Sequence, residues 1–343
     1  MVFGFASTER YICIDVQFDE VYFTVVKKVD AFFEIDFTEK LILKGGVFEN
    51  NQIRTPGKIA DILLLIKQKF GNIPVVVTVP EQFSYTVLLP DNTYSSVSDI
   101  KDFVKTLLPT PSFFWSDVFR ENKKKYTSLH AAEKRVCDAL YVLVKNAGLQ
   151  SIVMYPRTAT FPEVAQIKES LVCDFGNNQI NIFSVSQTHT VAFSVIPYGK
   201  EELVKKIEKK FSLSHEETEE VLNAYGTEAF PRKEGHVIHG LVHTFLVPVI
   251  DEIQSLQIRR SEQGFDSTRQ ILVTGDMAQY SGLIEDIERM TNIKSQAIDI
   301  WDGLVNFESH IPHIHKKDSY GFAGIASLMH VIKTGTSYEP FDL

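Results

Sequence analysis

Cysteine is scarce: Cys13, Cys137 and Cys173 are the three in 343 residues. They are far apart and form no CxxC pair, so neither a disulfide framework nor a cysteine zinc site is signalled. Cys13 and Cys173 sit inside apolar runs, where cysteine behaves as a small buried hydrophobe. A basic surplus is also missing. The net charge of -9 argues against nucleic acid or an anionic membrane as a non-specific partner. Lys123–Lys125 is the densest basic run, and it reads as a solvated loop. No apolar run approaches the length of a membrane span. The N-terminus has no basic stretch followed by an apolar core, so no signal peptide is expected. No Gly-x-Ser-x-Gly elbow or Ser-His-Asp set is present. The expectation is a cytoplasmic protein with no direct membrane insertion.

Phenylalanine is abundant, with 25 residues, and predicts aromatic-rich cores or interfaces. Two segments look alike. Tyr11–Val26 and Ser170–Val185 each run from an apolar strand ending in Asp, through a short polar turn, into a second β-rich strand. Each is followed by further strand and then a helical pattern. Ile59, Ile62, Leu63, Ile66 and Phe70 share one face over 56–70, and Leu203, Val204, Ile207 and Phe211 share one over 200–211. Such a duplication predicts two similar lobes. The remaining pattern predicts strands at 73–80, 151–155 and 270–274, and helices within 97–110, 125–147 and 281–290. It also predicts a long helix over 235–262, bent at Pro248, and a last helix at 320–333.

Asp15 and Asp174 end the first strand of each repeat. An Asp there, followed by Gly two residues on, can hold a metal-bound water beside phosphates that the backbone approaches. Asp174-Phe-Gly176-Asn177-Asn178 has that form; equally, either Asp can cap its own turn. Gly176, Gly199 and Gly275 can be simple turn glycines. His236, His239 and His243 fall on one helical face without a carboxylate or Cys to complete a metal set. They read as a solvated or partner-facing stripe, as do His310, His313 and His315 in a loop around Pro312.

The ordered pieces Gly45–Lys58, Val75–Glu81, Ile196–Leu203, Phe245–Ile253 and Thr274–Leu283 resemble the actin-like ATPase superfamily. More narrowly, the chain resembles the PilM proteins of type IV pilus assembly and their FtsA relatives. The resemblance implies a two-lobed α/β fold of the actin-like, ribonuclease H-like kind. The first lobe would span 1–167, with an inserted α+β subdomain at about 81–150. The second would span 168–343, with its last helix, about 320–333, returning to the first lobe. It implies ATP and Mg2+ as cofactors. Asp15, Asp174, Gly176, Asn177, Asn178, Gly199, Glu202, Gly275 and Asp276 would lie around the nucleotide, with Asp15 and Asp174 on the metal.

The departures point the other way. Gln17 stands where the first phosphate loop has Gly, Asp19 and Glu20 bring negative charge toward an anion, and the usual Lys falls near Tyr22. Asp276 replaces a Gly in the adenosine motif. Nucleotide binding is thus expected to be weak or lost, and catalysis is disfavoured. The resemblance further implies a scaffold that binds the short N-terminal tail of an inner-membrane pilus or secretion protein. The tail would lie in a groove between first lobe and inserted subdomain, with Phe83, Tyr85, Val87, Leu89 and Phe103 as wall residues or, individually, as the subdomain's own core. An active ATPase or kinase, and an FtsA-like division protein, are the alternatives. The polar, acidic stretch after Lys333 does not make the basic amphipathic helix that the last of these needs.

Overall fold

The computed structural model describes residues 10–49, 52–90, 99, 102–103, 105–106, 112–149, 152–165, 167–226, 233–305, 319–335 and 341–342. The loop histidines His310, His313 and His315 lie outside these. The chain divides into two compact units. One comprises Met1–Val164, Ile300–His315 and Phe322–Leu343; the other comprises Ala165–Asp299 and Lys316–Gly321.

In the first unit, β1 (Arg10–Val16), β2 (Glu20–Val29) and β3 (Phe32–Ile42) form an antiparallel meander. A short pair, β4 (Phe48–Glu49) and β5 (Gln52–Ile53), leads into helix α1 (Pro56–Phe70). Pro56 starts α1 because its ring presets the helical φ, and Ile59, Leu63 and Ile66 are the face it buries. Strand β6 (Val75–Val79) then pairs parallel with β1, and β10 (Ile152–Pro156) pairs parallel with β6. The sheet order is β10-β6-β1-β2-β3. Between β6 and β10 lies a second sheet made of β7 (Ser84–Pro90), β8 (Ser112–Glu121) and β9 (Lys124–Glu133), followed by α2 (Lys134–Asn146). Two short helices, α3 (Arg157–Thr160) and α4 (Pro162–Ala165), follow β10.

The second unit repeats the same sheet. Strands β11 (Ser170–Phe175), β12 (Ile180–Ser186) and β13 (His189–Ile196) form the meander, and helices α5 (Lys200–Phe211), α6 (His215–Tyr225) and α7 (Lys233–Glu262) follow. Strand β14 (Gln270–Thr274) pairs parallel with β11. Helix α8 (Leu283–Thr291) leads to β15 (Ser295–Ala297), which pairs parallel with β14. The order β13-β12-β11-β14-β15 matches the first sheet strand for strand. Its core joins Leu171, Cys173 and Phe175 to Leu203, Ile207, Phe245 and Leu246.

The last helix, α9 (Ala323–Thr334), belongs to the first unit and packs against β1, β6 and β2. Ala323, Gly324, Ala326 and Ser327 let it approach closely, and all four are buried. Finally β16 (Phe341–Asp342) pairs with β8. Two features went beyond the sequence pattern: the β8–β9 hairpin, and α6 with its Ser214–Glu217 capping box. The basic run Lys123–Lys125 is exposed but is not all loop: Lys123 lies in the turn of that hairpin, and Lys124 and Lys125 begin β9, paired with Glu121 and Arg120.

Candidate functional site

The turn after β1 is tight because Gln17 N–H donates to Glu20 O at 2.9 Å, while Val16 N–H donates to Thr78 Oγ1 at 2.9 Å. Both amides are therefore used within the protein. Asp15 is fully buried. Its Oδ1 accepts from Thr78 Oγ1 at 2.7 Å and from Arg157 Nε at 3.1 Å, and its Oδ2 accepts from Gln17 Nε2 at 2.9 Å. Arg157 is itself buried and reaches Glu81 Oε1 through Nη1 at 2.5 Å. Its guanidinium also lies 4.5 Å over the Phe161 ring. Charges this deep persist only when paired and hydrogen-bonded together.

Two sequence expectations change in detail here. The Gln17 side chain folds back onto Asp15. Glu20 does not present bare charge: Lys40, delivered from β3, binds it at 2.9 Å, and the Tyr22 hydroxyl donates to it at 2.6 Å. Lys40 also lies 5.0 Å over the Tyr22 ring, so a lysine does come to this turn, from a neighbouring strand. The residues of this turn do not fit a magnesium polyphosphate. The Asp15 carboxylate is committed to three donors and has no exposed face, and the flanking amides are spent.

In the second unit, Asp174 pairs across the hairpin with Asn181 and along β14 with Thr274; it too is buried. The structure draws Gly176, Asn177, Gly199 and Gly275 together at these strand ends. A Cβ on Gly199 would sit 2.6 Å from Asn177 O, one on Gly176 2.9 Å from Gln179 O, and one on Gly275 2.5 Å from Phe175 O. All three glycines are accounted for by backbone packing on backbone. Lys200 N–H donates to Gly176 O at 3.1 Å and Glu201 N–H to Asn177 O at 2.9 Å, so the first amides of α5 bind the turn itself. Asn177 and Asn178 are half-buried. Glu202 is exposed and pairs with Lys206 at 3.5 Å. Asp276 opens a short 3-10 turn whose Gln279 amide donates to Asp276 O at 3.2 Å. Nearby, Glu219 accepts from the Tyr280 hydroxyl at 3.3 Å and pairs with Lys200 at 2.9 Å; burial and Glu219 together raise the Tyr280 pKa.

Strand β7 places Tyr85, Val87 and Leu89 on one face, with Tyr85 exposed, Val87 half-buried and Leu89 buried. Phe83 turns to Phe48, their ring centres 5.0 Å apart. Phe103 is half-buried, and its carbonyl accepts from Thr106 Oγ1 at 2.6 Å. None of these five is in the wall of one groove that the described residues of the first unit form. That groove holds about 610 Å3 and runs between β5, the start of α1 and α2, with Gln52, Ile53, Pro56, Arg135, Asp138 and Val142 in its wall. Val142 is half exposed, and Tyr141 beside it is exposed too. Ala139, Leu140, Val142 and Leu143 are all apolar on one helix, and nothing local marks Val142 as the one that faces out.

His236 and His243 are exposed on α7, and His239 Nδ1 lies 3.7 Å from Asp286. Among the described residues no three His, Cys, Asp or Glu side chains converge as a metal site, and no helix is long and apolar enough to cross a membrane.

The doubled sheet, each copy a three-stranded meander extended by two parallel strands, defines the actin-like ATPase fold, with an inserted subdomain between β6 and β10. The chain is similar in structure to PilM of a PilM-PilN type IV pilus biogenesis complex, with a TM-score of 0.73 at 14% identity over 95% of this chain and 99% of that one. It is also similar to MreB5 of Spiroplasma citri bound to AMPPNP (TM-score 0.59, 10% identity, 96% and 97% covered). A third is the ethanolamine utilization protein EutJ of Carboxydothermus hydrogenoformans (TM-score 0.53, 13% identity, 93% and 88% covered). No protein-family model matches the chain, and no curated protein matches it by sequence.

Proposed function

We propose that this chain is a cytoplasmic, PilM-like scaffold of a type IV pilus or related secretion assembly, peripheral to the inner membrane through a protein partner. It binds the short cytoplasmic N-terminal tail of that inner-membrane partner, and its nucleotide binding is weak or lost. In this reading the first lobe spans 1–167, the subdomain at about 81–150 forms one wall of the tail site, and the second lobe spans 168–343 with its last helix, about 320–333, returning to the first lobe. The likeness in fold to PilM of a PilM-PilN complex supports it.

The observation that carries the reading is the groove between β5, α1 and α2. It combines the apolar wall residues Ile53 and Val142 with the charged residues Arg135 and Asp138. An extended peptide with alternating apolar side chains suits such a wall. Tyr85 and, in part, Val87 present apolar surface on the same subdomain, while Leu89 is buried beneath it.

The test is fluorescence anisotropy with labelled N-terminal tail peptides of the small membrane proteins encoded beside this chain. One peptide is expected to bind, and Val142→Glu, a change at an exposed position, is expected to weaken it at least tenfold with the melting temperature unchanged. Failure of every such peptide, or binding indifferent to Val142→Glu, overturns the reading.

A further inference from the structure

We propose that Arg157 is a built-in replacement for a divalent cation. Its guanidinium supplies the positive charge that binds the strand ends of the first sheet together, so this unit reaches its packed form with no metal nucleotide. The proposal deepens the nucleotide half of the reading above and does not depend on what fills the groove.

Three adjacent parallel strands, β1, β6 and β10, bring these residues together. Asp15 ends β1, Glu81 follows β6 by two residues, and Arg157 follows β10 directly. The carboxyl ends of parallel strands are where α/β sheets gather ligands. Here each strand end brings one charged group, and the three converge with relative exposures of 0% for Asp15, 1% for Glu81 and 0% for Arg157. The guanidinium is planar, and two of its nitrogens point to two different carboxylates: Nε to Asp15 at 3.1 Å and Nη1 to Glu81 at 2.5 Å. That is the bridging role a bound cation plays, performed by a group that is always charged and never leaves.

The surroundings lock it in place. Phe161 covers the guanidinium face, Thr78 and Gln17 fill the remaining positions on Asp15, and Gly324 of α9 backs directly onto the Asp15 carboxylate. A metal at Asp15 would have to displace an arginine that is sealed on every described side.

The test compares Arg157→Lys with Arg157→Met in the full chain by thermal melting. Methionine nearly conserves volume but strands two buried carboxylates; lysine keeps the charge. Both are expected to melt below wild type, with Arg157→Met lower by roughly 10 °C and Arg157→Lys between. Equal melting of the two variants, or Arg157→Met as stable as wild type, overturns the proposal. A second measurement needs no variant to fold: wild type titrated with Mg-AMPPNP by calorimetry and by melting. No heat and no shift are expected. A binding heat or an upward melting shift with Mg-AMPPNP in the wild type overturns the proposal. Failure of every tail peptide would leave both measurements standing.

Discussion

Gly324→Ala is expected to be among the costliest single-methyl additions in the first unit. An ideal Cβ at this position runs into the carboxylate carbon and both oxygens of Asp15. The carboxylate cannot simply rotate away, because Thr78, Gln17 and Arg157 hold it at 2.7, 2.9 and 3.1 Å. Either α9 lifts from β1 or Asp15 surrenders partners. Breaking a buried charge pair costs about 3–5 kcal/mol. Replacing Gly by Ala inside a helix returns about 1 kcal/mol. The net loss is roughly 2–4 kcal/mol, which in a unit of about 200 residues lowers Tm by roughly 5–15 °C. The assay is thermal melting by circular dichroism with calorimetry beside it. Gly240→Ala is the control: nothing lies within 4 Å of its Cβ position on α7, so it should gain up to about 1 kcal/mol. In an Asp15→Ala background the Gly324→Ala cost should largely vanish, since the three carboxylate atoms in conflict are then absent. A Gly324→Ala protein that melts at or above wild type refutes the reasoning.

Burial, helped by Lys333 and opposed by Asp302, pushes His330 down from 6.5 to about 4. A histidine depressed in the folded state stabilises above pH 6.5 and loses that contribution as pH falls toward 4, at most roughly 3 kcal/mol. Stability measured by urea titration should fall over that window, and His330→Leu should flatten the slope. All three cysteines are buried, and burial raises each thiol, Cys137 to about 12, so none should react with a thiol reagent until the protein is denatured. Ser214→Ala removes one half of the α6 capping box and should cost about 1 kcal/mol in denaturant unfolding.

Helix α1 runs from Pro56 to Phe70 and α5 from Lys200 to Phe211, the limits their apolar periodicity and flanking residues indicate. The two Asp-ended hairpins were equally legible, since alternating strands and a polar turn are local signals. The β8–β9 hairpin was not: its turn uses Asn122 and Lys123 at positive φ with no glycine to mark it, and the lysines disguise it as a solvated loop. Gln17 advertised an altered first turn, because a side chain stands where backbone should be bare. Arg157 advertised nothing. It sits in an ordinary Arg-Thr-Ala-Thr stretch, and its meaning comes only from Asp15, 142 positions away, and Glu81, 76 away. The tight packing of Gly324 could be guessed from its small neighbours; that it leans on a carboxylate could not.

The chain leaves the first unit after Val164 and returns to it only at Ile300 and again at Phe322. This order reverses the usual sequence of events on the ribosome, where the leading domain is finished first. The second unit has emerged almost whole while the first still lacks α9, the helix that covers β1 and β6. A nascent chain with about its first 300 residues outside the ribosome should therefore carry a protease-resistant trailing half and a leading half that is still digestible, and emergence of about thirty-five more residues should protect both.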